Sequence, residues 1–89
     1  MLKSSITISN RLGLHARASA KLTKLAGGFQ CEVHLSRGGR RVNAKSIMGV
    51  MMLAAGLGTV VEIETDGADE AAAMDALRSL IDAKFDEGQ

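Results

Sequence analysis

Apolar and polar residues alternate in three separated segments of the chain, and this alternation restricts the fold more than any other feature. It is present at residues 2–8, at 31–35 and at 59–65. A period of two places successive side chains on opposite faces of a β-strand. Because one face of each segment is polar, we expect a sheet that is covered on only one side.

Helical segments separate these strands. Apolar residues recur with helical spacing from Ala16, and the glycine pair at 27–28 ends that helix. A second helix is predicted from near Ser46 to about Leu53, and Asp69 is placed to cap a third.

The remaining strand and the order of the elements complete the predicted fold. The glycines at 38–39 predict a hairpin that leads into a short strand around Val42 and Ala44. The order is β-α-β-β-α-β-α, and each right-handed β-α-β connection leaves a gap that a strand of the other half fills. We therefore predict an α/β (α+β) two-layer open-faced sandwich. Its four-stranded antiparallel sheet has the order 1-4-2-3, with three helices on one face, in a single domain of residues 1–89.

Composition excludes several classes of protein. With 46% hydrophobic and 24% charged residues, the chain is typical of a soluble globular protein, and no apolar run approaches a membrane span. The N-terminus lacks the pattern of a secretory signal. The single Cys31 excludes an internal disulfide framework and favours a reducing cytoplasm. A net charge of +1 and two aromatic residues give no case for nucleic-acid binding, and we expect no membrane association.

His15 and Arg17 are unusual choices for the start of a helix. Unpaired backbone N–H groups at this end favour an anion, and a neutral imidazole is a nucleophile. A phosphoryl group on His15 would sit among those donors, and Arg17 could pair with its oxygens. The small Ala16, Ala18 and Ser19 leave room for a partner to approach. The residues alone leave two readings open at this point, a phosphoryl site and an ordinary helix start.

The second helix carries more apolar residues than one side of it can bury. We assign Val50, Leu53 and Ala54 to the core. The residues that remain form a candidate exposed surface, here called the apolar patch, which comprises Ile47, Met48 and Met51. Flexible methionine side chains suit a surface that accepts several partners, although for any single methionine a core position is the default.

The basic residues form a stripe on the first helix and a cluster at the predicted hairpin tip. Arg17, Lys21 and Lys24 follow one side of the first helix, so the patch is expected to have a basic rim that suits acidic-rimmed partners. The basic tip at 37–41 is expected to be solvated.

Two further sets of residues are assigned structural places. Cys31 and His34 stand three apart on a strand and point to opposite faces, so we predict no metal site, with Cys31 in the core and His34 facing solvent. The acidic side chains of 62–66 are expected at a strand edge, away from any histidine.

Two motifs resemble one family. NRLGLHARASAKL at residues 10–22 is similar to the active-site segment of HPr, the histidine-containing phosphocarrier of the bacterial phosphoenolpyruvate-dependent sugar phosphotransferase system. AKSIMGVMMLAAGLGT at 44–59 is similar to its second signature, around a regulatory serine. The likeness extends over essentially the whole chain.

This resemblance implies a role for each motif. His15 would accept a phosphoryl group from phospho-enzyme I and pass it to enzyme IIA domains, with Arg17 stabilising the phosphate. The chain would be a carrier rather than an enzyme with its own turnover, and it would need no cofactor. Ser46, by itself a suitable helix N-cap, matches the serine that HPr kinase/phosphorylase modifies in many bacteria. The family docks its partners beside the histidine, which implies docking at the apolar patch, Lys21 and Lys24.

One departure and two alternatives accompany the resemblance. Family members usually have proline after the arginine, whereas this chain has Ala18. That change puts the local geometry and the transfer rate in doubt, but not the carrier role. One alternative is a protein without sugar transport, acting either as a regulator or as a carrier in a nitrogen-related phosphorelay. The other is a small anion-binding domain of unrelated origin. We expect a monomer that forms transient complexes.

Overall fold

The structure, a computed structural model, describes residues 1–86, so residues 87–89 of the predicted domain lie outside the described part. Four strands are present: β1 (Leu2–Thr7), β2 (Glu32–Arg37), β3 (Arg40–Asn43) and β4 (Val60–Asp66). Three α-helices accompany them: α1 (Ala16–Gly27), α2 (Ile47–Met52) and α3 (Glu70–Asp82). A short 3-10 turn, Lys84–Asp86, follows α3. The predicted order of elements is confirmed.

The four strands form one antiparallel sheet in the order β1-β4-β2-β3. In the register of β4 with its two neighbours, Ile63 lies between Ser4 of β1 and Leu35 of β2. The helices cover one face of this sheet, and the predicted open-faced α+β sandwich is therefore confirmed. Within residues 1–86, no helix is both long enough and apolar enough to cross a membrane.

The core lies between the helices and the inward face of the sheet. Alternate strand residues supply one side of it, and periodic helix residues supply the other. The fully buried members with large side chains include Ile8, Leu22, Val33, Leu35, Val61, Ile63, Leu77, Ile81 and Phe85. Burial of each such side chain contributes about 1.5–3 kcal/mol relative to exposure. The alternation of apolar and polar residues thus sets which face of the sheet the helices cover.

The end of α2 differs from the prediction. Val50 and Leu53 are buried as expected, but Ala54 is exposed and Ala55 takes the core position. The helix ends at Met52, and Ala54 adopts a left-handed backbone with φ 51°. Helical spacing therefore no longer applies at Ala54, so its assignment to the core was wrong.

The basic hairpin tip is not simply solvated. The Nη1 atom of Arg37 donates hydrogen bonds to the carbonyl oxygens of Leu53 at 2.8 Å and Ala54 at 3.0 Å. Arg40 donates in the same way to Met52 at 2.9 Å. Carbonyl groups at a helix C-terminus lack intrahelical partners and carry partial negative charge. The two guanidinium groups therefore cap α2.

Asp69 stands at the N-cap position of α3, but its carboxylate makes no hydrogen bond to the cap. Its oxygens instead accept the backbone N–H groups of Gln30 and Cys31, each at 2.8 Å. These bonds, that of Gln30 above all, hold the pKa of Asp69 below its usual range. Asp69 thereby ties the loop after α1 to the start of α3.

The open face of the sheet brings an acidic residue beside a histidine, contrary to the prediction. Strand β4 lies inside the sheet, as in the predicted order 1-4-2-3, and Glu64 pairs in register with His34 of the neighbouring β2. Arg41 donates to Glu64 Oε2 at 2.5 Å, and this contact lowers the pKa of Glu64. His34 is half-buried on this face, while Cys31 is buried in the core as predicted.

Candidate functional site

His15 occupies the N-cap position of α1. Its backbone is extended, with φ −74° and ψ 179°, and its ring is half-buried. The backbone N–H of Arg17 donates to His15 Nδ1 at 3.3 Å. Because a nitrogen that accepts a hydrogen bond presents its lone pair to the donor, Nδ1 is the ring nitrogen that faces the helix end.

The surroundings of that nitrogen favour an anion. The first turn of α1 contains no acidic residue, and the first intrahelical bond is the one from Ser19 N–H to His15 O at 2.8 Å. The N–H groups of the three residues between them therefore have no acceptor within the helix. Arg17 has an exposed side chain at the same end. A negatively charged group on Nδ1 would meet these donors and the positive end of the helix dipole.

The segment before His15 is packed against the residues that follow α2. Gly13 adopts φ +66°, and a Cβ there would lie 2.4 Å from Ala55 O and 2.6 Å from the Cα of Gly56. Leu14 N–H donates to Ala55 O at 2.8 Å. The structure thus brings together the two motif segments, 10–22 and 44–59, that are distant in sequence.

The apolar patch is exposed on α2, where Ile47, Met48 and Met51 have exposed fractions of 44%, 70% and 40%. The exposed apolar side chains that were not predicted include those of Met52, Leu12 and Leu57. Met52 could have been found, because a helix face that buries Val50 and Leu53 turns residue 52 outward. Leu12 and Leu57 lie in loops, where periodicity gives no signal.

The basic stripe is divided between two environments. Arg17 and Lys24 are exposed, whereas Lys21 is half-buried and its Nζ donates to Phe85 O at 2.6 Å. Helices α1 and α2 pack against each other, which places the stripe and the patch on neighbouring helices. Lys21 therefore has a structural contact in addition to its predicted place at the rim.

Ser46 is exposed and caps α2, and its Oγ accepts the N–H of Gly49 at 3.2 Å. The predicted capping geometry is therefore present.

Within residues 1–86, no group of three or more His, Cys, Asp or Glu side chains could hold a metal ion.

Of the three small residues that were expected to leave room for a partner, only Ala16 is exposed. Ala18 and Ser19 are fully buried, so the expectation was wrong for these two. Asn10 is also fully buried, and its Nδ2 donates to Gly13 O at 2.7 Å. Neither Asn10 nor Ser19 was predicted to form a hydrogen bond that holds the site. An Asn three residues before a Gly is a turn signal that could have indicated the first, but no pattern indicates the second.

The model of the family described as the PTS HPr component phosphorylation site matches residues 2–83. The chain belongs to the HPr family. HPr relatives include the phosphocarrier protein HPr of Cupriavidus necator, 65% identical over 100% of both chains, and that of Neisseria meningitidis, 62% identical over 100% of both. A phosphocarrier protein NPr from Shewanella violacea is 44% identical, covering 97% of this chain and 94% of the relative.

Solved HPr structures agree with the fold. HPr from Thermoanaerobacter tengcongensis has a TM-score of 0.95 and 41% identity, and the match covers 98% of each chain. An HPr dimer from the same organism has a TM-score of 0.77 and 41% identity, covering 96% of this chain and 98% of the other. The family assignment supports a phosphocarrier of the phosphotransferase system.

Proposed function

We propose that residues 1–89 form a single phosphocarrier domain that carries a phosphoryl group on Nδ1 of His15. The observation that carries this proposal is the hydrogen bond from Arg17 N–H to that nitrogen at 3.3 Å, which aims its lone pair at the N-terminus of α1. The family match to a phosphorylation-site model supports it.

The transfer itself needs only a nucleophile and a place for charge. The Nδ1 lone pair attacks phosphorus, the bond between phosphorus and phospho-enzyme I breaks, and the leaving group on enzyme I keeps that electron pair. The new phosphate oxygens replace Nδ1 as the acceptor of the Arg17 N–H and accept from the other N–H groups in the first turn of α1, and the Arg17 guanidinium pairs with them. Transfer to an enzyme IIA domain reverses these steps. The chain is itself the acceptor in one transfer and the donor in the next, so it acts as a carrier rather than a turnover enzyme, and the scheme uses no cofactor.

The partners in this proposal are enzyme I and enzyme IIA domains, which dock on the apolar patch beside His15. Exposed apolar side chains at the centre, with Arg17, Lys21 and Lys24 at the rim, suit partners with acidic rims. We propose a cytoplasmic monomer that forms transient complexes. A dimer would be the alternative state, as in the HPr dimer of Thermoanaerobacter tengcongensis.

Phosphorylation of Ser46 by an HPr kinase/phosphorylase is the proposed regulation. The hydroxyl is exposed and directly precedes the apolar patch. A phosphate there adds about two negative charges beside a surface that binds acidic-rimmed partners, so it weakens docking without refolding the chain. An acid-stable phosphoserine that depends on ATP and the kinase, and that Ser46→Ala lacks, is the observation that tests this regulation.

The carrier proposal is tested by incubation with phosphoenolpyruvate, magnesium and enzyme I. We expect an acid-labile, alkali-stable phosphate on the wild-type chain and none on His15→Ala. Equal labelling of the two chains, or none on the wild type, overturns the proposal.

A second candidate is a carrier or regulator that operates without sugar transport, including a nitrogen-related phosphorelay. The 44% identity to a phosphocarrier named NPr favours keeping it. Transfer from the phosphorylated chain to a sugar-specific enzyme IIA of the same organism supports the first role, and failure with every such IIA supports the second.

A further inference from the structure

The peptide group that joins Leu14 to His15 is anchored by a hydroxyl from within α1. Ser19 Oγ donates to Leu14 O at 3.0 Å, and both residues are buried, with Ser19 fully so. The carbonyl of Leu14 and the N–H of His15 lie in one planar unit. A hydrogen bond that fixes this carbonyl therefore also fixes the plane from which His15 begins.

The preceding peptide is held as well. Leu14 N–H donates to Ala55 O at 2.8 Å, so Leu14 is bound at both its N–H and its carbonyl. One residue earlier, the carbonyl of Gly13 accepts Asn10 Nδ2 at 2.7 Å, and Gly13 N–H donates to Asn10 O at 3.2 Å. Asn10 and Ser19 thus hold the approach to His15 from two sides.

The position next to Ser19 lacks the usual rigid residue of the family. A proline at position 18 would fix its own φ and stiffen the first turn of α1. This chain has Ala18 there, which is fully buried in α1 but lacks the ring that fixes φ covalently. The Ser19 hydroxyl lies in the same turn and constrains the same stretch of backbone through Leu14.

We propose that Ser19, assisted by Asn10, is a positioning residue for phosphoryl transfer: its hydroxyl holds the His15 backbone in the orientation that a proline at position 18 would otherwise favour. This inference rests on the proposed carrier function. Ser19 acts through the backbone of Leu14 and touches neither the phosphate nor a partner. Its loss should therefore slow the transfer step and leave docking unchanged.

The first test replaces the hydroxyl alone. Misplacement of a reacting group by 1 Å can cost about 100-fold in rate, and release of one anchoring bond moves the ring by less, so Ser19→Ala should lower the single-turnover transfer rate by about 3- to 10-fold. The KM of enzyme I for the chain should stay within about twofold, because the apolar patch is untouched.

Thr65→Val is the matched control. Thr65 is also fully buried, and its Oγ1 donates to Glu70 O at the same distance of 3.0 Å. Thr65 lies near the C-terminal end of β4. Ala55, which bonds to Leu14 beside His15, lies before the N-terminal end of that strand, so the control is remote from the site. This variant loses an equivalent hydrogen bond, so a rate loss as large as that of Ser19→Ala would show a general effect of stability and overturn the proposal.

A double-mutant cycle with Ala18→Pro tests the compensation. If the hydroxyl and the ring stiffen the same backbone, their effects are not additive. We expect Ser19→Ala to cost less than about twofold in rate when it is made together with Ala18→Pro. An equal loss with and without the proline contradicts the compensation and overturns the proposal.

Hydrogen exchange separates this proposal from the carrier function. Ser19→Ala should speed exchange at the Leu14 and His15 amides relative to wild type and to Thr65→Val. If the wild type accepts no phosphate, the carrier function fails, and exchange at these two amides alone decides whether the hydroxyl anchors the backbone. If the wild type is phosphorylated and Ser19→Ala matches it in both rate and exchange, the carrier function stands and the positioning role is wrong.

Discussion

Leu14 N–H and Ala55 O are joined by a hydrogen bond of 2.8 Å, which connects the segment that carries His15 to the residues just after α2. The patch-bearing helix and the proposed phosphoryl site are thereby fixed to each other by backbone rather than by flexible side chains. A partner that docks on α2 meets His15 at a defined place, which is a requirement for transfer between two proteins.

Gly13→Ala should disrupt the junction itself. The glycine has φ +66°, and an added Cβ would lie 2.4 Å from Ala55 O, a backbone atom that cannot simply turn away. The left-handed backbone and the forced shift together should cost about 2–5 kcal/mol of unfolding free energy, measured by urea denaturation.

Gly38→Ala is the control for the backbone conformation alone. Gly38 has a similar φ of +55°, but nothing lies within 4 Å of its Cβ position. Its loss should be about 1–2 kcal/mol. Equal losses in the two variants would show that the close approach to Ala55 is unimportant.

Met48→Asp should weaken docking without weakening the fold. Met48 is the most exposed residue of the apolar patch, at 70%, and a carboxylate there meets the acidic rim expected of the partners. We expect the KM of enzyme I for the chain to rise about tenfold or more, with the midpoint of urea unfolding nearly unchanged.

Val60→Asp provides the comparison for that result. Val60 is similarly exposed, at 57%, but it begins β4 rather than lying on α2. Its effect on KM should be less than about twofold. A rise as large as that of Met48→Asp would place docking elsewhere or make it a matter of net charge alone.

The fold could be predicted because periodicity reports directly which side of each element is buried. The strand order followed from the two interlocked β-α-β units, and the structure confirms it. The assignment of Ala54 failed because a helix end is set by local backbone conformation, here φ 51°, which spacing does not encode. The expectation that Glu64 lies away from any histidine failed because the register of β4 against β2 pairs it with His34, and that register depends on the assembled sheet.

The candidate site was less predictable than the fold. His15 and Arg17 were singled out because they are unfavourable at a helix start, and such a conflict between residue and position often marks function. That conflict alone left two readings open, and the resemblance to HPr favoured the phosphoryl site. The contacts that hold them were not found. Ser19 bonds to Leu14, and Arg37 caps α2 from 16 residues away in the chain, and each depends on geometry that only the assembled structure shows.

Arg17→Ala should slow transfer strongly. The exposed guanidinium stands at the helix end that His15 Nδ1 faces, and it is proposed to neutralise charge on the phosphoryl oxygens. Removal of one such donor typically costs about 10²–10³ in rate, and for an exposed side chain we expect about 10- to 100-fold in the single-turnover rate. Arg17→Lys should recover part of this loss, because it keeps the charge but not the bidentate geometry.

Lys24→Ala separates charge at the rim from charge at the phosphate. Lys24 is exposed two turns further along α1, so its loss should raise KM, more so at low salt, and leave the single-turnover rate within about twofold. If Arg17→Ala also changes only KM, Arg17 belongs to the docking rim and has no part in transfer.

Asp69 should make the stability of the fold fall in acid. Backbone N–H groups of Gln30 and then Cys31 lower the pKa of Asp69 in the folded chain, while in the unfolded chain it has the ordinary value of about 3.9. The unfolded state therefore takes up this proton first as the pH falls. The stabilisation is fully present well above pH ~4 and is lost as the pH falls through the lower pKa of the folded state.

Asp69→Asn removes this titration, since its amide cannot ionise. The free energy of unfolding of the wild type, measured in urea, should exceed that of Asp69→Asn at pH 7 and pH 5, and the difference should shrink steadily between about pH 4 and pH 2. A wild-type advantage that stays constant down to pH 2 would mean that the carboxylate holds Gln30 and Cys31 equally well when protonated, so its charge is not what ties the loop after α1 to α3.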